Sequence, residues 1–305
     1  MTGFLEDSIK RVLKNSGDEC FDFSFIPFSR KIPFTAYQVS TRKQKYFIKE
    51  ANPDYGEIIA CEYKGLRLLQ TAGCVKIPTI YHFEFYEGKK TAFLILEWIE
   101  SFPHASKISQ RKLGESMAVL HATSSHKFNV NRFGLDHNNY IGSTIQFNQW
   151  MDEWPVFFVK QRLLPQIHMG VEKGLIPVAF HQQLMRLCER VPEYLAADNN
   201  TPSLLHGDLW AGNVLISGNN EPILIDPAVY FGAAEAELAF TELFGGFSSE
   251  FYNAYNSILS IPYGYHDRKK LYNLYHVLNH LNLFGTIYLG QAQNICTYYA
   301  GKFNL

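Results

Sequence analysis

Residues 205–213 read Leu205-His206-Gly207-Asp208-Leu209-Trp210-Ala211-Gly212-Asn213, and thirteen positions after Asn213 the apolar run Ile223-Leu224-Ile225 ends in Asp226-Pro227. A carboxylate, an amide five positions on and a second carboxylate closing a strand suit phosphoryl transfer from a magnesium nucleotide. Asp208 would accept or orient the proton of an acceptor hydroxyl. Asn213 offers a neutral, hard oxygen and Asp226 a charged one, the ligand types magnesium prefers. Alone, Asp208 would be a turn cap and Asn213 a turn residue; their order and spacing favour catalysis. Pro227 fixes the backbone directly after Asp226. The switchable Asp-Phe-Gly segment of regulated protein kinases is therefore not indicated.

An earlier stretch supplies a cation. Lys49 ends the apolar run Tyr46-Phe47-Ile48, and Glu62 follows thirteen residues later on a helical pattern. In this reading the Lys49 ammonium meets the α- and β-phosphates and Glu62 holds it. Glu57, on the same helix, competes for that role. Glu97-Trp98-Ile99 closes the Leu94-Ile95-Leu96 run, where backbone groups of Glu97 and Ile99 would face adenine. The loop Ser29–Phe34 would cover the phosphates, yet it holds no glycine to let the backbone approach them.

Those groups need a scaffold. The 305 residues are 47% hydrophobic and 15% aromatic, enough for a large core split over two lobes. The net charge of −1 carries no basic excess, which argues against nucleic acid as partner. Five cysteines with no CxxC pair suggest neither a zinc site nor a disulfide framework, and no apolar stretch spans a bilayer. With no signal-like start, a cytoplasmic protein without membrane attachment is expected.

Helical spacing marks residues 4–13 and about 56–71, with strands over 20–50, Ile77–Phe85 and Thr91–Glu97. Beyond residue 100, helices are expected over Gln110–His121, Phe147–Ile167, Pro177–Arg190, Ala234–Leu243, Phe247–Ser257 and Arg268–Leu289. Short strands surround 203–206, 213–217 and 222–226. The boundary falls near residue 98, giving a nucleotide-binding lobe over 1–98 and a catalytic and substrate lobe over 99–305. His121, His276 and His280 lie on apolar helical faces and read as packed or hydrogen-bonded histidines.

His206-Gly207-Asp208-Leu209-Trp210 with Gly212-Asn213 resembles the signature of the fructosamine kinases, or ketosamine 3-kinases, within the wider aminoglycoside-phosphotransferase and choline-kinase-like group. Similar too are Asp226–Gly232, Glu235–Ala239, Leu243–Phe247, Leu278–Gly285, and Tyr140–Thr144 with Asn148, Trp154, Phe157, Arg162 and Leu163. The resemblance implies an α+β, two-lobed protein kinase-like fold, with a small antiparallel-sheet N-lobe and a larger, mostly helical C-lobe. It further implies an ATP- and Mg2+-dependent kinase of the 3-hydroxyl of ketoamines, free or on protein lysines, leading to deglycation. Trp210 would pack against the acceptor, with core packing as the rival reading. Glu235 would attract its amine, although a role in fixing the loop after Asp226 fits Glu235 and Glu237 better. The chain departs from the family pattern at the glycine-poor loop, at Ala211, at Ala234 and at Glu237. The competing functions are a kinase of an aminoglycoside or amino alcohol, and a catalytically impaired nucleotide-binding protein. A monomer is the favoured state.

Overall fold

The structure, a computed structural model, describes residues 3–18, 20–26, 33–102, 105–195 and 201–303. Of the expected phosphate-covering loop Ser29–Phe34, residues 29–32 lie outside that range. Helix α1 (Gly3–Asn15) precedes the strands β1 (Cys20–Ile26), β2 (Phe34–Thr41) and β3 (Lys45–Ala51). Helix α2 (Gly56–Ala72) then leads to β4 (Ile80–Tyr86) and β5 (Thr91–Glu97). The five strands form one antiparallel sheet in the order β1-β2-β3-β5-β4.

The period-2 alternation of β3 separates its side chains between two faces. Tyr46 and Ile48 point into a cluster with Ile9 and Leu13 of α1 and with Val39, Phe93 and Ile95. Ala51 points the other way, into a cluster with Ile59 and Leu66 of α2, with Phe47 packed against it. Lys49 shares parity with Phe47 and Ala51, so it faces α2. On α2 the buried stripe runs Ile59, Glu62, Leu66, Leu69 at helical spacing. Glu62 is therefore carried inward and Glu57 is left exposed. Gly73, in the left-handed conformation at φ 71°, ends α2 by donating its amide to Leu69.

The remaining chain is mostly helical around one large core. Helix α3 (Lys107–Phe128) starts at Ser106, whose hydroxyl accepts the Ser109 amide at 3.1 Å. A short hairpin follows, β6 (Asn139–Ile141) with β7 (Thr144–Gln146). Next come α4 (Trp154–Phe157), a π-helical turn (Phe158–Leu163), α5 (Leu164–Glu172) and α6 (Val178–Leu195). Strands β8 (Ser203–Leu205), β9 (Val214–Ile216), β10 (Pro222–Leu224) and β11 (Tyr230–Gly232) make two small ladders, β9 with β10 and β8 with β11. Helices α7 (Ala234–Leu243), α8 (Ser249–Ile258), α9 (Tyr265–Phe284) and α10 (Leu289–Phe303) complete the described chain.

Two expected helical patterns are interrupted, whereas α3 outruns Gln110–His121 at both ends and α6 runs past Arg190. The pattern over Phe147–Ile167 becomes helical only from Trp154, because the backbone of Asn148 and Met151 pairs with Leu135 and Phe133 instead. The pattern over Arg268–Leu289 is interrupted at Gly285, whose φ of 90° stops α9. No described helix is long and apolar enough to cross a membrane.

Candidate active site

The segment after β8 and the segment after β10 lie against each other. Gly207 has φ 82°, and a Cβ there would stand 2.0 Å from the Ala228 carbonyl oxygen, so only glycine fits. Ala228 in turn donates its amide to the His206 carbonyl at 2.8 Å. The His206 side chain, fully buried, joins the two segments again. Its Nε2 donates to the Ile225 carbonyl at 2.9 Å, and its Nδ1 accepts the Asp208 amide. Burial holds the imidazole below its ordinary pKa, against the attraction of Glu237, which fits this neutral tautomer.

Within this frame Asp208 and Asn213 meet directly. Asn213 Nδ2 donates to the Asp208 carbonyl at 2.8 Å and to its carboxylate at 2.9 Å. Both acceptors fix the amide nitrogen-first, leaving Asn213 Oδ1 for another partner. Burial pushes the Asp208 carboxyl up to about 7; the Asn213 hydrogen bond opposes this, and Asp226 and Glu237 add to it.

Asp226 takes the left-handed conformation at φ 54°, uncommon for a side chain other than glycine. Its carboxylate bonds Lys49, which also donates to both oxygens of Glu62 at 2.8 and 2.9 Å. Burial works against the Lys49 charge, but Asp226 and Glu62 outweigh it and hold the ammonium above its usual range. Burial raises the Glu62 carboxyl, and Lys49 opposes that rise. Gly65 lets α2 approach this segment: a Cβ there would meet Pro227 at 3.2 Å. Lys49, Glu62 and Asp226 thus converge from three elements, and Asp208 and Asn213 from the neighbouring loop.

The oxygens suit a small hard cation. The side chain of Asp226 is 40% exposed, and among the described residues Asn213 Oδ1 takes no hydrogen bond. Among the described residues no group of three or more His, Cys, Asp or Glu forms a closed cage. Two protein oxygens completed by phosphate and water are a common way to hold Mg2+.

Glu97 and Ile99 stand where the sheet ends. Glu97 Oε2 accepts the Thr79 amide at 3.0 Å and hydroxyl at 2.8 Å, and the Glu97 amide donates to the Thr79 carbonyl at 2.9 Å. A cleft of about 580 Å³ borders this linker, lined among others by Pro78, Trp98, Ile99 and Glu221; none of Lys49, Asp208, Asn213 and Asp226 lines it. Trp210 is 42% exposed, with its ring over Gly212.

Glu235 departs from its expected place. It is buried and paired with Arg268, whose Nε reaches Oε2 at 2.8 Å, and this carboxylate is not presented to an acceptor. Glu237, expected to fix the loop after Asp226, instead holds the segment leading into Asp208. That carboxylate accepts the His206 amide at 3.0 Å, the Gly207 amide at 2.7 Å and a hydrogen bond with His121 Nε2 at 3.0 Å. Burial alone would raise Glu237; the His121 bond and charge, His206 and the Gly207 amide together hold it below the usual carboxylate value.

The family model for fructosamine kinase matches residues 33–300. A probable ketoamine kinase of Vibrio parahaemolyticus is 40% identical over 85% of this chain and 86% of its own. A chloroplastic protein-ribulosamine 3-kinase of Oryza sativa is 33% identical over 84% of this chain and 72% of its own. Among solved structures, a fructosamine-3-kinase-like protein of Haemophilus somnus superposes with TM-score 0.82 at 26% identity, covering 95% of this chain and 96% of that one. A choline kinase of Streptococcus pneumoniae shares the fold, with TM-score 0.65 at 15% identity over 98% and 100% of the two chains.

Proposed function

The chain belongs to the fructosamine kinase family and is an ATP-dependent kinase of that kinase-like fold, and from this premise we propose that it phosphorylates the 3-hydroxyl of ketoamines. The observation that carries the acceptor class is the family match across residues 33–300, joined by relatives named for ketoamine and ribulosamine phosphorylation. Ketoamines are the rearranged adducts of a sugar with an amine. A 3-phosphate destabilises the adduct, so the amine is returned and the outcome is deglycation.

In this reading the Asp208 carboxylate accepts the proton of the acceptor hydroxyl as that oxygen bonds to the terminal phosphorus of ATP, while the bond from that phosphorus to the bridging oxygen breaks and ADP leaves. A carboxyl lifted toward neutrality by burial is a better proton acceptor than an ordinary aspartate. Lys49, held by Glu62, pairs with the α- and β-phosphates. The backbone at Glu97 and Ile99 receives adenine. Asn213 Oδ1 and the Asp226 carboxylate would hold Mg2+, which neutralises phosphate charge when bound. Trp210 packs its exposed face on the acceptor, since an aromatic face accepts apolar sugar surface and cations. Residues 1–98 form the nucleotide lobe and 99–305 the catalytic and substrate lobe. The cytoplasm is the proposed compartment, and no nucleic acid, membrane or second copy is invoked.

The test is ADP release measured across fructosyl-lysine, ribulosyl-lysine, a glycated protein, choline and an aminoglycoside. Turnover is expected with ketoamines, with the product phosphorylated at the 3-position by NMR. Turnover with choline or the aminoglycoside and none with any ketoamine would overturn the reading.

A further inference from the structure

The β6–β7 hairpin and the π-helical turn carry polar residues that the phosphoryl-transfer chemistry leaves unused. Arg162 sits in that turn and is fully buried. A π turn re-aims side chains that a regular helix would leave elsewhere. No carboxylate pairs with Arg162 among the described residues. Its guanidinium lies on the rings of Tyr230, Phe157 and Tyr275, at 3.9, 4.7 and 5.6 Å from their centroids. It donates to the carbonyls of Phe147 and Gln161, and Nη2 donates to Asn148 Oδ1 at 2.8 Å.

From there the bonds run in one direction. Asn148 Nδ2 donates to Asn139 Oδ1 at 2.8 Å. Asn139 Nδ2 donates to the Val229 carbonyl at 2.8 Å. Gln146 Nε2 donates to Asn139 Oδ1 at 2.8 Å and to the Ala228 carbonyl at 2.9 Å. The Tyr275 hydroxyl donates to Gln146 Oε1 at 2.8 Å. A guanidinium only donates and a backbone carbonyl only accepts, so each amide between them has one permitted orientation. Asn139, Gln146 and Asn148 are all buried to 3% exposure or less, so no water substitutes for a lost partner. The chain ends on the second and third residues after Asp226, whose left-handed backbone persists only where its surroundings over-determine it.

We propose that Arg162, Asn148, Asn139 and Gln146 form a polarised relay that positions Asp226 by fixing the carbonyls of Ala228 and Val229. They are positioning residues. The inference rests on the reading of Asp226 as a Mg2+ ligand.

Gln146→Glu keeps the shape and the acceptor for Tyr275 but turns the donor into an oxygen facing Asn139 Oδ1 and the Ala228 carbonyl. Calorimetry with ATP, with and without Mg2+, reads the affinity gained through the cation, and amide hydrogen exchange reads residues 226–231. The Mg2+-dependent gain is expected to fall about tenfold or more, as for partners that orient metal ligands, with metal-free ATP affinity within about twofold. Exchange at 226–231 is expected to quicken. Should Gln146→Glu fail to fold, Gln146→Met, which buries no charge, is read the same way. Asp226→Asn is the reference. If Asp226→Asn loses the Mg2+ gain while the folded Gln146 variant keeps it, with unchanged exchange, the relay is overturned and the metal reading stands. If Asp226→Asn keeps the gain, the metal reading fails and the positioning inference falls with it. An equal loss of ATP affinity with and without Mg2+ in the Gln146 variant also overturns the relay, since that marks general loosening.

Discussion

The Glu237 carboxylate accepts the Gly207 amide at 2.7 Å, one residue before Asp208. Its other oxygen accepts the His206 amide and is bonded to His121. Glutamine at this position has a single acceptor oxygen and brings an NH2 toward groups that already donate. Glu237→Gln is expected to lower unfolding free energy by about 1–3 kcal/mol, the range for a buried polar group left unsatisfied. The folded carboxyl is held below its ordinary 4.5. Its contribution is therefore complete above that value and is lost as pH falls through the lower folded pKa. Urea midpoints should show a wild-type advantage that is constant between pH 7 and pH 5 and shrinks below about 4.5. An advantage unchanged at the acid end would show that the ionised form is not what holds the loop.

Lys49 is the cation between two carboxylates, with a side chain only 4% exposed. Lys49→Met leaves Glu62 buried without its partner, which costs about 3–5 kcal/mol for a broken buried pair. ATP affinity should fall about tenfold or more, the loss of one charge-assisted hydrogen bond. Burial already raises the Glu62 carboxyl, and removing Lys49 removes the attraction that opposes the rise. A carboxyl with a raised folded pKa stabilises below its unfolded value, and that contribution is lost as pH climbs through the folded one. The stability gap between Lys49→Met and wild type should thus widen from pH 5 to pH 8. Thermal unfolding across that range measures it, and a flat gap would mean that Glu62 is not the group left stranded.

These two cases mark what the sequence makes legible. Lys49, Glu62, Asp208, Asn213 and Asp226 announce themselves through short-range order: a strand parity, a helix stripe and a loop of fixed spacing. Each is local, and the structure brings all five to neighbouring segments. Glu235 and Glu237 defeat the same logic. They lie two residues apart on α7, about 200° around the helix, so they face different neighbours. Their partners, Arg268 and His121, stand 33 and 116 residues away in the chain. Nothing local says which carboxylate meets which partner. The relay from Arg162 is hidden for the same reason, because it crosses a π turn, a hairpin and α9. The sheet and most helices follow from periodicity, whereas 147–153 carries a helical pattern and pairs as extended chain.

Gly212 gives a way to move Trp210 without deleting it. A Cβ at Gly212 would stand 2.2 Å from Trp210 Cη2 and 2.4 Å from Cζ2, and the ring, being 42% exposed, can swing outward. Gly212→Ala should change unfolding free energy by no more than about 0.5 kcal/mol, the range for a surface site. If the Trp210 face packs on the acceptor, the acceptor KM should rise about two- to fivefold, the worth of an exposed aromatic–cation contact. The ATP KM should hold. Steady-state kinetics with each substrate varied, alongside tryptophan emission, tests this. A shifted emission with a wild-type acceptor KM would remove Trp210 from the acceptor site.

Arg268 grips Glu235 with two nitrogens and also donates to the Tyr263 carbonyl at 3.0 Å. Both side chains are buried, at 8% and 3% exposure. Arg268→Met leaves an uncompensated carboxylate in the core, so it should cost about 3–5 kcal/mol. Replacing the pair by apolar residues of similar volume removes both desolvation penalties, and such exchanges are neutral or stabilising in many proteins. The double variant Glu235→Leu with Arg268→Met should therefore unfold at higher urea than either single change. The acceptor KM of Glu235→Gln should match wild type, because this carboxylate is turned to Arg268 rather than to an amine. Urea titrations of the four proteins, with acceptor kinetics on Glu235→Gln, decide between the two roles. An acceptor KM raised several-fold in a Glu235→Gln protein of wild-type stability would restore Glu235 to the acceptor site. Additive losses in the double variant would show that the buried pair is not coupled.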